Sequence, residues 1–101
     1  MTFGINWNYI QAKRQADRLQ EQAERLRKLA QGRMDDVIQN LTGSWSGESA
    51  RAYIRKAERT RRELEAVAAE LERTAEVIRA SADRTYRAEM QVRELAHTRK
   101  Y

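Results

Sequence analysis

From Ala57 onward the chain repeats with a period of seven. Ala57, Leu64, Leu71, Ile78, Thr85 and Val92 form one row, and Thr60, Val67, Thr74, Ser81, Ala88 and Leu95 interleave as a second. Steps of three and four alternate between the rows, which keeps both on one face of an α-helix and rules out the two-residue period of a half-buried strand. Ala68, Ala75, Ala82 and Ala96 flank this seam and widen it until it can meet more than one neighbouring helix. The spacing predicts a helix over residues 48–97.

The first half follows the same rule with one fault. Tyr9, Ala12, Ala16, Leu19, Ala23, Leu26 and Ala30 alternate steps of three and four, after which a second successive step of four leads to Met34, and the pattern resumes through Val37 to Leu41. Such a stutter locally unwinds a coiled coil. Gly32 lies inside it and reads as a mild kink costing about 1 kcal/mol relative to alanine. Asn6 is a good N-cap, and Ile5 before it is placed to staple onto Ile10. Gly43 offers the left-handed conformation that commonly ends helices. A helix over residues 6–41 is therefore expected, roughly 54 Å long, followed by a turn over residues 42–47.

With 101 residues there is room for one domain, and the absence of proline together with 35% charged residues suits long helices. The expected fold class is all-α: an antiparallel helix-turn-helix hairpin filling residues 1–101. A lone hairpin of this size cannot cover both apolar faces, so dimerisation into a four-helix bundle is expected. Leu19, Leu26, Leu64, Val67, Leu71 and Ile78 are the expected core and dimer seam.

The net charge of +5 does not form a basic arm: residues 1–43 carry seven basic and five acidic groups, residues 44–101 thirteen and ten. Acids interrupt every basic cluster, and the expected pattern is one of solvated faces with pairs such as Glu21 with Arg25. A basic helical nucleic-acid-binding protein is the alternative class, and it wants clustered Lys and Arg that this chain lacks. There are no cysteines, which excludes disulfides and thiol catalysis. No basic segment precedes an apolar run at the N-terminus and no long apolar window occurs, so neither a conventional signal peptide nor stable membrane insertion is expected.

Between the two helical patterns stands LTGSWSGESARAY, residues 41–53. Leu41, Gly43, Trp45, Gly47, Ala50 and Tyr53, at the middle of a chain of about one hundred residues, resemble the WXG family of small type VII secretion proteins, also called early-secretory-antigen-like. The match in Trp45-Ser46-Gly47 is short, and its position between two amphipathic helices gives it weight. Ser46 can cap the second helix, and Glu48 complements the positive end of its dipole.

The resemblance implies a helical hairpin that folds in the bacterial cytoplasm and is then secreted or carried to the cell surface. It implies a homodimer, or a heterodimer with another WXG-type protein or with the helical hairpin at the N-terminus of a toxin. Engagement of the type VII secretion ATPase, directly or through that partner, is implied as well; catalysis and cofactors are not. Trp45 is expected both to plug the turn end of the bundle and to contribute to a recognition surface. The family's export signal, Tyr-x-x-x-Asp/Glu after the second helix, is not matched: four residues beyond Tyr86 is Met90, while Glu89 lies at three. The His-x-x-x-Asp/Glu pattern fails too, since four residues beyond His97 is Tyr101. Residues 85–101, with Tyr86, Glu89, Val92 and Leu95, are thus the candidate export or partner tail, using another spacing or a signal supplied by the partner.

Other chemistry is weakly encoded. Glu94 and His97 have the Glu-x-x-His spacing of di-iron bundles, but the heptad phase turns them away from Val92 and Leu95, so no metal site is expected. The carboxylates are spread along exposed faces, without a cleft or a nucleophile-base arrangement, so the chain is not expected to be an enzyme. Phe3, Trp7 and Tyr9 are expected to cover the open end of the hairpin beside the C-terminal half of the second helix.

Overall fold

The computed structural model describes residues 2–44 and 47–98, apart from the side chains of Thr2, Phe3, Ile5 and Ser44. The described residues form three α-helices, α1 (Thr2–Lys28), α2 (Met34–Ser44) and α3 (Glu48–Thr98), with a π-helical segment, Leu29–Arg33, joining α1 to α2. Among the described residues there is no strand. The chain is an all-α helical hairpin.

The expected stutter is built as this π segment. The N–H of Met34 bonds to the carbonyl of Leu29, five residues back. One residue more per turn than in an α-helix absorbs the second step of four. As a result Ala30 is buried, and Met34, Ile38 and Leu41 beyond it are each half-buried. Gly32 is thus part of a wider turn rather than a simple kink.

Both ends of the first helical arm differ from the expected 6–41. α1 begins at Thr2, so Asn6 is a residue within the helix and not its cap; no proline or glycine run precedes it to halt the helix. The Ile5 staple falls on a side chain outside the description. At the other end the helix runs through Gly43 to Ser44. Gly43 keeps an ordinary helical backbone, and the left-handed residue is Gly47, with φ 101°. Inside the last turns of α2 the Thr42 hydroxyl donates to the Ile38 carbonyl at 2.7 Å.

The hairpin divides into two compact units. The terminal unit joins Met1–Leu19 to Arg73–Tyr101. In it Tyr9 meets Asp83 and Asp17 meets Arg79, so positions rise along α1 as they fall along α3, and the two run antiparallel. Ala16 and Ala75 are its buried core, with Ala12, Ile78 and Ala82 half-buried around them. The turn unit, Gln20–Glu72, pairs Arg27 with Glu72 and Asp35 with Arg61 in the same antiparallel sense. Its buried residues are Ala23, Ala30, Ala50, Ala57 and Ala68.

Among the described residues every buried one is an alanine. Ala68 and Ala75, expected to flank the seam, lie at its centre, because so small a side chain lets two helices approach closely, whereas Ala82 is half-buried and Ala96 exposed. Leu19, Leu26, Leu64, Leu71 and Ile78 lie half-buried beside them. Val67 does not join this intra-chain core: it is 50% exposed.

Candidate functional site

The turn that carries the WXG motif is described only in part. Trp45 and Ser46, expected to plug the bundle and to cap α3, lie outside the described residues. What is described is the start of α3. The carbonyl of Gly47 accepts the Arg51 N–H at 3.1 Å, closing the first turn, while Glu48 stands at the positive end of the helix dipole and pairs with Arg51. The positive φ of Gly47 is the backbone state that side chains resist. Among the described residues nothing approaches within 4 Å of where a Cβ would stand at Gly43 or Gly47. The requirement for glycine at position 47 is thus one of backbone, not of space.

The second heptad row of α3 faces away from the alanine seam. In the turn unit Tyr53 and Val67 are exposed, and in the terminal unit so are Ser81, Ala88 and Leu95, with Val77 and Val92 beside them at 65%. Each unit has a groove next to this row. In the turn unit it measures about 290 Å³ and is lined by Met34, Val37, Tyr53 and Thr60 among others. In the terminal unit it measures about 380 Å³, with Asn8, Tyr9, Ala12, Val77, Ser81 and Tyr86 in its walls. Shallow, mostly apolar grooves between two helices suit a third helix, since ridges of side chains seat in such channels. They offer no nucleophile-base geometry.

The opposite flank of α3 is charged and satisfied within the chain. Tyr9 donates its hydroxyl to Asp83 at 2.8 Å, and its ring lies 4.6 Å from that of Tyr86. The Lys13 ammonium reaches Asp83 at 3.2 Å and also sits over the Tyr9 ring. These contacts hold the Asp83 carboxyl below its ordinary pKa, first through the Tyr9 hydrogen bond and then through Lys13. The hydrogen bond to Asp83 raises the pKa of Lys13 against a smaller desolvation effect. In the turn unit the bond between Arg27 and Glu72 lowers the Glu72 carboxyl and raises the Arg27 guanidinium. Arg61 occupies a seam position between Ala57 and Leu64 and reaches Asp35 at 2.8 Å, leaving its Nε buried without a partner.

The candidate tail falls in the terminal unit. Tyr86 is half-buried against Tyr9, Glu89 is exposed and lines the groove, and Val92 and Leu95 are exposed. Residues 99–101 lie outside the described residues. The expected cover from Tyr9 is present, while Trp7 is 52% exposed and the Phe3 side chain is outside the description. The cross-helix contacts of Tyr9, Lys13 and Asp83 were not legible from spacing, because a heptad row names a face but not its opposite number 74 residues away. The same holds for charge pairing: Arg27 with Glu72 and Arg79 with Asp17 cross between helices, whereas the expected pairs lay along one helix.

A hairpin of two long helices with a left-handed glycine at the start of the second and an exposed apolar row defines the class: a small all-α helical-hairpin protein. The WXG100 family model, "Proteins of 100 residues with WXG", matches residues 4–90. The chain belongs to this family of small type VII secretion proteins. No curated protein and no solved structure matches it. Family members typically form dimers with partners in type VII secretion and are not known as enzymes. Among the described residues no helix is long and apolar enough to cross a membrane.

Proposed function

We propose that this protein travels through type VII secretion as one member of a helical pair, either as a substrate or as the companion of a co-secreted toxin with a similar N-terminal hairpin. The observation that carries the reading is the uncovered row on α3: Val67, Val77, Val92 and Leu95 are all at least half exposed. Leaving that much apolar side chain in water forgoes about 1–2 kcal/mol per residue of the free energy that full burial supplies. A second hairpin laid along the row recovers it and completes a four-helix bundle. Leu19, Leu26, Leu64, Leu71 and Ile78, half-buried at the edge of the alanine seam, then become interior.

In this reading Trp45 and Gly47 shape the turn, and residues 85–101 present Tyr86, Glu89, Val92 and Leu95 to the secretion ATPase or to the partner that engages it. The protein folds in the bacterial cytoplasm as a single domain before export. The test is expression of the tagged protein in its native host with and without the secretion ATPase, with assay of the medium and of the proteins that co-purify. ATPase-dependent appearance in the medium together with a helical-hairpin partner is expected. Release that ignores the ATPase, or strict retention with no such partner, would overturn the reading.

A further inference from the structure

The antiparallel fold sorts charge in a way that the linear sequence hides. Residues 1–19 and 73–101, which form the terminal unit, hold ten Lys or Arg and five Asp or Glu; residues 20–72, the turn unit, hold ten of each. All of the net +5 therefore belongs to the terminal unit. Two of its five acids are already engaged inside the chain, Asp83 with Lys13 and Tyr9, and Asp17 with Arg79. Among the described residues Arg14, Arg18, Arg84 and Arg93 have no acidic partner.

Helical spacing sets two of these arginines outside the lining of the terminal groove but close to the stripes that line it. On α3, Val77, Ser81, Arg84 and Ala88 follow one another at i, i+4, i+7 and i+11, so Arg84 shares the stripe of the groove-lining Val77 and Ser81. On α1, Asn8, Gln11, Gln15 and Arg18 stand at i, i+3, i+7 and i+10, a line that drifts outward, so Arg18 lies beyond the lining residues on the outer side of the Asn8 stripe. Neither stripe contains an acid; among the described lining residues Glu89 is the one acid. An apolar channel with arginines outside its lining, in the unit that holds the chain's net positive charge, has the layout by which flanking charges select a partner helix.

We infer that the terminal unit docks an acidic amphipathic helix, whose apolar face fills the groove between Ala12, Val77 and Ser81 and whose carboxylates meet Arg18 and Arg84. This rests on the helical-pair reading above and names the chemistry of the partner. A second copy of the chain is the poorer occupant, because it offers the groove either a unit of the same net charge or a neutral one. Nucleic acid is poorer still: phosphates find the arginines, but a channel floored by Ala12, Val77 and Ile78 presents nothing to them.

The test is a titration of the full-length protein with a labelled synthetic amphipathic helix of about four turns or more, carrying Leu and Ala on its seam and Glu on its shoulders. Its twin with Lys on the shoulders and a short duplex DNA serve as comparison probes. The Glu helix is expected to bind about tenfold more tightly than the Lys helix. Raising salt from about 50 to about 300 mM shortens screening and should narrow that gap. The paired substitution Arg18→Glu and Arg84→Glu should reverse the preference, with circular dichroism confirming that helicity is kept. Equal binding of the two helices, tighter binding of DNA than of the Glu helix, or self-association that excludes both helices would each overturn the inference. ATPase-dependent secretion alongside any of these results would leave the helical-pair reading standing, so the two failures are distinguishable.

Discussion

The two flanks of α3 on either side of its alanine seam do different work. On one flank Glu72, Arg79 and Asp83 each reach a residue of α1, and in each unit the pairs run in opposite order along the two helices. On the other flank Val67, Val77 and Leu95 are left in water. Exposed ion pairs contribute little stability individually, so the charged flank matters chiefly because it fixes which residue of α1 stands beside which residue of α3. The apolar flank has the reverse character: Val67, Val77 and Leu95 offer burial that the described residues of the chain do not take up. Packing within the chain thus uses one row of the helix and leaves its neighbour exposed, and Ala68 and Val67, adjacent in sequence, fall on opposite sides of that division.

The largest effect should come from the seam itself. Ala68 is fully buried, so Ala68→Leu must force α1 and α3 apart or push leucine into a strained rotamer, at a cost of about 1–3 kcal/mol. Urea unfolding of the isolated protein measures it. Val67→Leu, one residue away on the exposed row, should leave the midpoint nearly unchanged. Equal losses in the two variants would break the division between the rows.

The two glycines that bracket the turn, Gly43 and Gly47, should behave oppositely. Gly47→Ala places a side chain on a left-handed backbone and should cost about 1–2 kcal/mol. Gly43→Ala lies in a helix with open space around the added methyl and should stabilise by up to about 1 kcal/mol. A pair of thermal melts decides it, and loss of stability in both variants would show that Gly43 is held by something other than its helical backbone.

Much of this division was legible in the sequence, and the remainder was not, for reasons that are physical. A seven-residue period states which side chains share a face, so both helices and the central turn follow from Ala57 to Leu95 and from Tyr9 to Ala30 alone. Period does not state which row meets the neighbour in the same chain. Bulk suggests Leu64 and Val67, yet close helix approach selects Ala68 and Ala75. The stutter at Ala30 and Met34 was visible, but whether it becomes a kink or a π segment depends on keeping Met34 and Ile38 on the inner side. The two candidate turn glycines look alike in one dimension; only the path of the backbone distinguishes φ at position 47 from φ at position 43. At the candidate site, the uncovered row could be drawn from spacing, whereas the concentration of net charge in one unit needs the pairing of residues 1–19 with 73–101.

Association should respond where folding does not. Val67→Ser removes an exposed methyl pair, so the unfolding free energy of the isolated chain should stay within about 0.5 kcal/mol of its original value. Capture of the co-purifying hairpin partner should fall several-fold, because the same methyls are interior once a second hairpin covers the row. Stability lost in step with partner binding would place Val67 in the intra-chain core after all.

The charged flank should show itself in pH, as the smallest effect of the set because its groups face water. The pKa values of Asp83 and Glu72 are depressed in the folded chain, Asp83 chiefly by Tyr9 and then Lys13, and Glu72 chiefly by Arg27. A depressed carboxyl binds its proton more readily in the unfolded chain. Its stabilisation is therefore complete above the unfolded value of about 4 and is lost as pH falls through the folded one. Lys13 and Arg27 are shifted upward, so their contribution is complete below their unfolded values and lost only in strong alkali. The urea midpoint should accordingly be flat with respect to these groups from about pH 5 to 9 and decline below about pH 4. Asp83→Asn combined with Glu72→Gln should flatten that acid limb. Val67→Ser should leave it as steep as in the original chain, and an acid limb that moved with Val67 instead would mean that the two flanks are not independent.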